Sequence, residues 1–108
     1  MSATTTDGMH PDVSELEITK VLAALGDQGR LLTVRALDRL GDSDCTRLQA
    51  DAGLTMSRST FSHHQKVLRE AGILHARIQG SQRILSLRRA DLNTRFPGLL
   101  DAVLDPPA

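Results

Sequence analysis

The sequence predicts an α+β chain, mostly helical, in which a run of helices precedes a two-stranded hairpin and a last helical stretch closes the domain. Three observations carry that prediction. Apolar residues recur at helical spacing in blocks that stop at Gly26, Gly41, Gly53 and Gly72; the period then changes to two on either side of Gly80-Ser81; and a helical stripe returns from Leu92 to Leu104. At 108 residues this is one folded domain, residues 13–108, small enough that a second copy would supply much of its buried surface. Phe61 and Phe96 are the only members of the Phe, Tyr and Trp set, so the core must be aliphatic.

Residues 1–12, with Ser2, Thr4–Thr6, Asp7, Gly8 and Pro11, show no periodicity and are expected to form a disordered tail. Ser14 and Glu17 have the spacing of a capping box and Val13 and Ile18 that of a hydrophobic staple, which starts a first helix carrying Ile18, Val21, Leu22 and Leu25. Asp27 is placed to cap a second helix with Leu31, Leu32, Val34, Ala36, Leu37 and Leu40, a wide apolar face that fits a central position. Ser43 or Asp44 caps a short third helix around Leu48, and Gly53–Met56 turns the chain into the fourth.

The fourth helix has the clearest ends. Ser57 is its N-cap, with Met56 and Phe61 at the two staple positions, and Gly72 stands where a left-handed residue is wanted, with Ile73 placed to touch Leu68 in a Schellman stop. The helix therefore runs from Arg58 to Ala71, roughly 20 Å at 1.5 Å per residue. Ser59, Ser62, His63 and Lys66 share a face opposite Phe61 and Leu68, and Arg58 lies at the N-terminal rim.

Beyond it, Leu74, Ala76 and Ile78 alternate with His75, Arg77 and Gln79, and Gly80-Ser81 fits a two-residue type II′ turn. Pairing Gln79 with Gln82 sets Ala76 opposite Leu85 and Leu74 opposite Leu87 as the buried face. His75, Arg77, Ser86 and Arg88 are left on the other face. Leu92, Phe96, Leu99, Leu100, Val103 and Leu104 make the last stripe, which Pro97 interrupts or kinks; the stripe completes the core or forms a dimer seam with the first helix. Helices, a helix-turn-helix, a two-stranded β-wing and a C-terminal dimerisation helix together make a winged helix-turn-helix.

Charge supports a nucleic-acid partner although the whole chain is neutral. Residues 57–89 hold seven bases and the single acid Glu70, a local +6, while residues 1–56 and 90–108 carry −4 and −2. A polyanion responds to the local patch more than to the total. The lack of aromatic platforms argues against single strands, not against a duplex. Cys45 is alone, so neither an intrachain disulfide nor a multi-thiol zinc site is expected. Residues 1–11 lack a basic start and an apolar run, and no apolar stretch nears the roughly eighteen residues of a membrane span. A cytoplasmic protein without a membrane partner is the expectation.

Two segments resemble a known family. Leu25-Gly-Asp-Gln-Gly-Arg-Leu-Leu32 is similar to the opening of ArsR-type repressors, and Ser59-Thr-Phe-Ser-His-His64 with Lys66-Val-Leu-Arg-Glu-Ala-Gly-Ile73 resembles their recognition helix; the likeness spans roughly residues 18–104. It implies a homodimeric transcription factor, usually a repressor whose operator affinity changes when an effector binds. The family's thiolate sensors need paired cysteines on the third helix, where this chain has only Cys45 flanked by Asp44 and Thr46. Its other common metal site uses Asp, His and Glu on the C-terminal helix, and residues 90–108 contain no His. No metal and no cofactor are therefore expected, which leaves a small-molecule or redox effector. Gln65 is a further departure, since the family usually has an apolar residue there.

The reading from sequence is a sequence-specific, double-stranded-DNA-binding transcriptional regulator, homodimeric and not an enzyme. Ser59, Ser62, His63 and Lys66 are the candidates for base edges; Arg58, Arg77 and Arg83 are the candidates for phosphate. His63 and His64 point about 100° apart on a helix and make a poor chelating pair. The alternative is a winged-helix module for protein association, which the local +6 disfavours. No phosphate loop, ligand cluster or nucleophile–base set suggests catalysis.

Overall fold

In a computed structural model describing residues 5–6, 10–53 and 55–104, the chain begins its regular structure upstream of where composition places it. Strand β1, Thr5–Thr6, pairs with residues 77–78, and Asp12 caps a 3-10 turn over Val13–Glu15. The Asp12 carboxylate accepts the Ser14 N–H at 3.2 Å while Glu15 accepts the Asp12 N–H at 2.9 Å. The capping box therefore sits two residues earlier than the Ser14/Glu17 pairing expected from sequence. Leu16 then adopts an extended conformation and buries its side chain, and α1 restarts at Ile18–Leu25 with no side-chain cap on Glu17. Of the expected tail over residues 1–12, positions 5–6 pair in the sheet and 10–12 lead into the 3-10 turn, while 1–4 and 7–9 lie outside the described residues.

The helices that follow come in the expected order, with one short strand added that the sequence does not signal. Helix α2, Gln28–Leu40, is capped by Asp27, which accepts the Arg30 N–H at 3.0 Å. Ser43–Asp44 make a short strand, β2, before Asp44 caps α3, Cys45–Asp51. Helix α4, Arg58–Glu70, is capped by Ser57 through the Thr60 N–H. It ends as a Schellman motif, with Ile73 N–H donating to Leu68 O at 2.9 Å and Gly72 N–H to Arg69 O at 3.0 Å. Gly72 has φ +85, and a Cβ there would also lie 2.0 Å from Leu16 Cδ2, so only glycine fits the stop.

Strands β3, Leu74–Gln79, and β4, Gln82–Leu87, form the hairpin in the expected register, Gln79 against Gln82 and Leu74 against Leu87. Gly80 has φ +63 and Ser81 does not have a positive φ, which selects type II′ over type I′. Adding the two short strands gives an antiparallel sheet of order β1-β3-β4-β2. His10 helps finish its edge: its Nε2 accepts the Ala76 N–H at 2.9 Å, and its ring stacks on His75 with centroids 4.4 Å apart. A β3 donor that would face solvent is thereby satisfied by a side chain, which a reading of hydrophobic periodicity cannot anticipate.

The C-terminal stripe divides into α5, Arg89–Arg95, and α6, Leu99–Leu104, separated at Phe96–Gly98. Leu92, Leu100 and Leu104 are buried with Val34, Leu37, Leu48, Leu68, Ile73 and Leu85 in one core. Arg35 of α2 clamps this end by donating from Nε and Nη2 to the Val103 carbonyl at 3.2 and 3.0 Å. The large apolar side chains left exposed are instead Ile18, Leu22 and Leu32, on α1 and α2. Among the described residues no helix is long and apolar enough to cross a membrane.

Candidate nucleic-acid interface

Helix α4 is held by one face and presents the other. Phe61, Gln65 and Leu68 are buried, whereas Arg58, Ser59, Ser62, His63 and Lys66 are all exposed. The turn before it is tied to α3 by Gln49 Nε2, which donates to Met56 O at 3.0 Å. A second attachment comes from the α1–α2 corner. Arg30 Nη1 lies 3.2 Å from His64 Nδ1, and Asp27 Oδ2 lies 3.7 Å from His64 Nε2. A guanidinium can only donate, so His64 is the acceptor at Nδ1 in this contact, and its Nε2 faces Asp27.

The corner explains why Asp27, Gly29 and Arg30 occur together. The Arg30 N–H donated to Asp27 holds that carboxyl below the usual carboxylate range; partial burial opposes the shift, and the nearby Arg30 and His64 charges assist it. A Cβ on Gly29 would stand 2.9 Å from Met56 Cε and 3.5 Å from His64 Nε2, so glycine lets α4 and its entry turn approach closely. Arg30 Nε donates to Ala24 O at 2.6 Å, closing the C-terminal end of α1. Of the two neighbouring histidines, His64 therefore belongs to the scaffold and His63 to the exposed face.

The basic surplus is partly spent inside the fold. Arg77 pairs with Asp42 at 3.2 Å and donates to Ser86 Oγ at 3.1 Å. Arg88 pairs with Asp91 at 3.0 Å, and Arg89 pairs with Asp38. Three of the seven bases counted over residues 57–89 thus have acidic partners drawn from the flanks, a pairing that a charge count along the chain misses. Arg58 and Lys66 form no ion pair among the described residues.

The two wing arginines do not share a face. Arg77 lies on the β3 face with His75, whereas Arg83, paired with Ile78, has the parity of Leu85 on the core side of β4 and is only half exposed. The structure thus separates Arg77 and Arg83, which sequence reasoning had grouped. The Arg83 carbonyl accepts from Cys45 Sγ at 3.7 Å, and the same thiol faces Gln65 Oε1 at 3.5 Å. Gln65, 3% exposed, therefore meets a polar neighbour in α3, which accounts for a polar residue at an inward position of α4. Among the described residues no group of three His, Cys, Asp or Glu side chains converges as a metal site would require.

Comparison with known proteins supplies the remaining link. No family model matches the chain. It is 31% identical over 85 residues to the uncharacterized HTH-type transcriptional regulator YceK of Bacillus subtilis (strain 168), covering 78% of this chain and 83% of that protein. Likeness at that level over most of both chains, with a capped α4 whose polar face is exposed, establishes the family. The chain belongs to the helix-turn-helix transcriptional regulators.

Proposed function

We propose that the protein is a homodimeric, sequence-specific repressor of the ArsR-like kind that responds to an effector other than a metal ion. The observation that carries this reading is the two-sided character of α4, with Ser59, Ser62, His63 and Lys66 exposed opposite buried Phe61, Gln65 and Leu68. Such a helix enters the major groove, where base edges present a donor and acceptor code. Ser59, Ser62 and His63 read base edges, with Lys66 beside them, and Arg58 at the N-terminal rim meets phosphate. Arg83 and Arg77 on the wing supply further phosphate contacts. Arg77 contributes only by exchanging Asp42 for the backbone, so its share is the smaller one.

Two copies would present two recognition helices about one DNA turn apart. Ile18 and Leu22, four residues apart on one face of α1 and 40% and 50% exposed, support a dimer seam on that helix. Leu22→Glu is the corresponding test, with a fall to monomer mass in sedimentation as the expected result. For DNA, the apparent affinity of the full chain is measured by gel shift over a range of salt. Affinity that drops steeply as salt rises supports the reading, because phosphate contacts release counterions; a flat response favours a protein partner on the same face.

A further inference from the structure

A cleft of about 650 Å³ lies between the N-terminal segment, α1 and the C-terminal half of α4. Small-molecule sites occupy roughly 300–1,000 Å³ and combine an apolar floor with a few placed polar groups. Here the floor is Ala23, Ala24, Val67 and Ala71, and Arg30 stands in the wall. That guanidinium is half-buried, and its hydrogen-bond partners are two carbonyls and an imidazole nitrogen: the Ala24 carbonyl at 2.6 Å, the Ala23 carbonyl at 3.4 Å and His64 Nδ1 at 3.2 Å. Among the described residues no carboxylate lies within 4 Å of it.

The other charges at the cleft are differently placed. Glu15 is turned to its own backbone, accepting the Asp12 N–H at 2.9 Å, and Lys20 pairs with Glu17 at 3.4 Å. Glu70 is exposed at the mouth, where water and salt screen it far more than the half-buried Arg30. Asp27, which caps the same helix as Arg30 and feels its charge, does not line the cleft, so the half-buried charge in its wall is positive.

We propose that this cleft binds a monocarboxylate with a flat or branched apolar body, its carboxylate on Arg30 and its body over Ala23, Ala24, Val67 and Ala71. A carboxylate makes a stronger, charge-paired hydrogen bond to a guanidinium than an imidazole nitrogen does, so it displaces His64 Nδ1 as the partner of Arg30 Nη1. His64 is the residue by which the α1–α2 corner holds α4. Occupancy therefore loosens the helix that carries His63, and DNA affinity falls. This coupling, though not the site itself, rests on α4 being the DNA-reading helix; by linkage, DNA must weaken the ligand by the same factor.

The test begins without DNA. The full chain is titrated with 2-naphthoate, 2-naphthylmethanol and 2-naphthylmethylammonium by amide chemical-shift mapping. Saturable binding of 2-naphthoate is expected, with shifts at Ala23, Ala24, Val67 and Ala71, at least about tenfold tighter than either control, as one lost charge-assisted contact implies. Arg30→Gln should abolish the preference for the acid, and Ala23→Phe, at an exposed position that cannot disturb the core, should block all three compounds by filling the floor. Absence of saturation at millimolar ligand, preference for the ammonium compound, or undiminished binding in Ala23→Phe would overturn the site. Added to a preformed protein–DNA complex, 2-naphthoate should lower DNA affinity for the parent chain and not for Arg30→Gln; unchanged affinity in both refutes the coupling. Failure to bind DNA at all would already show before any ligand is added, and would count against the DNA reading alone.

Discussion

The Arg30 guanidinium and the His64 imidazole meet at 3.2 Å across the junction of the α1–α2 corner and helix α4. Asp27, 3.7 Å from the other ring nitrogen, completes a three-residue attachment that orients the exposed face of α4 without belonging to it.

Adjacent histidines should therefore behave oppositely in stability measurements. His64→Ala removes a part-buried hydrogen-bond partner and is expected to cost about 1–2 kcal/mol. His63→Ala, at an exposed position, should change stability by less than about 0.5 kcal/mol. Urea denaturation of both variants decides the matter, and equal losses would mean that the corner does not hold α4.

Asp27 offers a pH test. Its native pKa lies below the ordinary carboxylate value, so its charge stabilises the fold fully above that value, and the benefit disappears as pH falls through the native pKa. Asp27→Asn keeps a good capping oxygen and loses the charge. The parent chain should be the more stable at neutral pH, with the difference shrinking below about pH 4. A gap that widens in acid would contradict the assignment.

At the other end of α4, Gly72→Ala must place a Cβ at φ +85 and 2.0 Å from Leu16 Cδ2. The left-handed backbone and the overlap together should cost about 2–4 kcal/mol, read as a lowered thermal midpoint. A loss under about 0.5 kcal/mol, the range of ordinary surface substitutions, would show that Leu16 does not seal this junction.

Where short-range chemistry determines geometry, the residues alone were sufficient. Gly80-Ser81 permits one tight turn, and that turn dictates the register from Gln79/Gln82 to Leu74/Leu87. Ser57 and Gly72 likewise mark the ends of α4 to within a residue, and helical spacing places Ser59, Ser62, His63 and Lys66 on one exposed face. Long-range partnerships were not legible. The Arg77–Asp42 pair spans 35 positions and the Arg30–His64 contact 34, so neither leaves a local signature. The start of the fold was missed for the same reason, because His10 is positioned by Ala76 and His75, far along the chain. Parity could have warned that Arg83 shares the core side of β4 with Leu85, since side chains two apart in a strand point the same way.

The proposed function requires that the exposed face of α4 read DNA sequence. It is tested most directly by selecting a preferred duplex from a random pool and measuring parent and His63→Ala affinities for it and for an unselected duplex across salt concentrations. His63→Ala should lose about 1–3 kcal/mol on the selected duplex only, with an unchanged salt slope, as removal of a base contact requires. Equal weakening on both duplexes, or no weakening on the selected one, would contradict it.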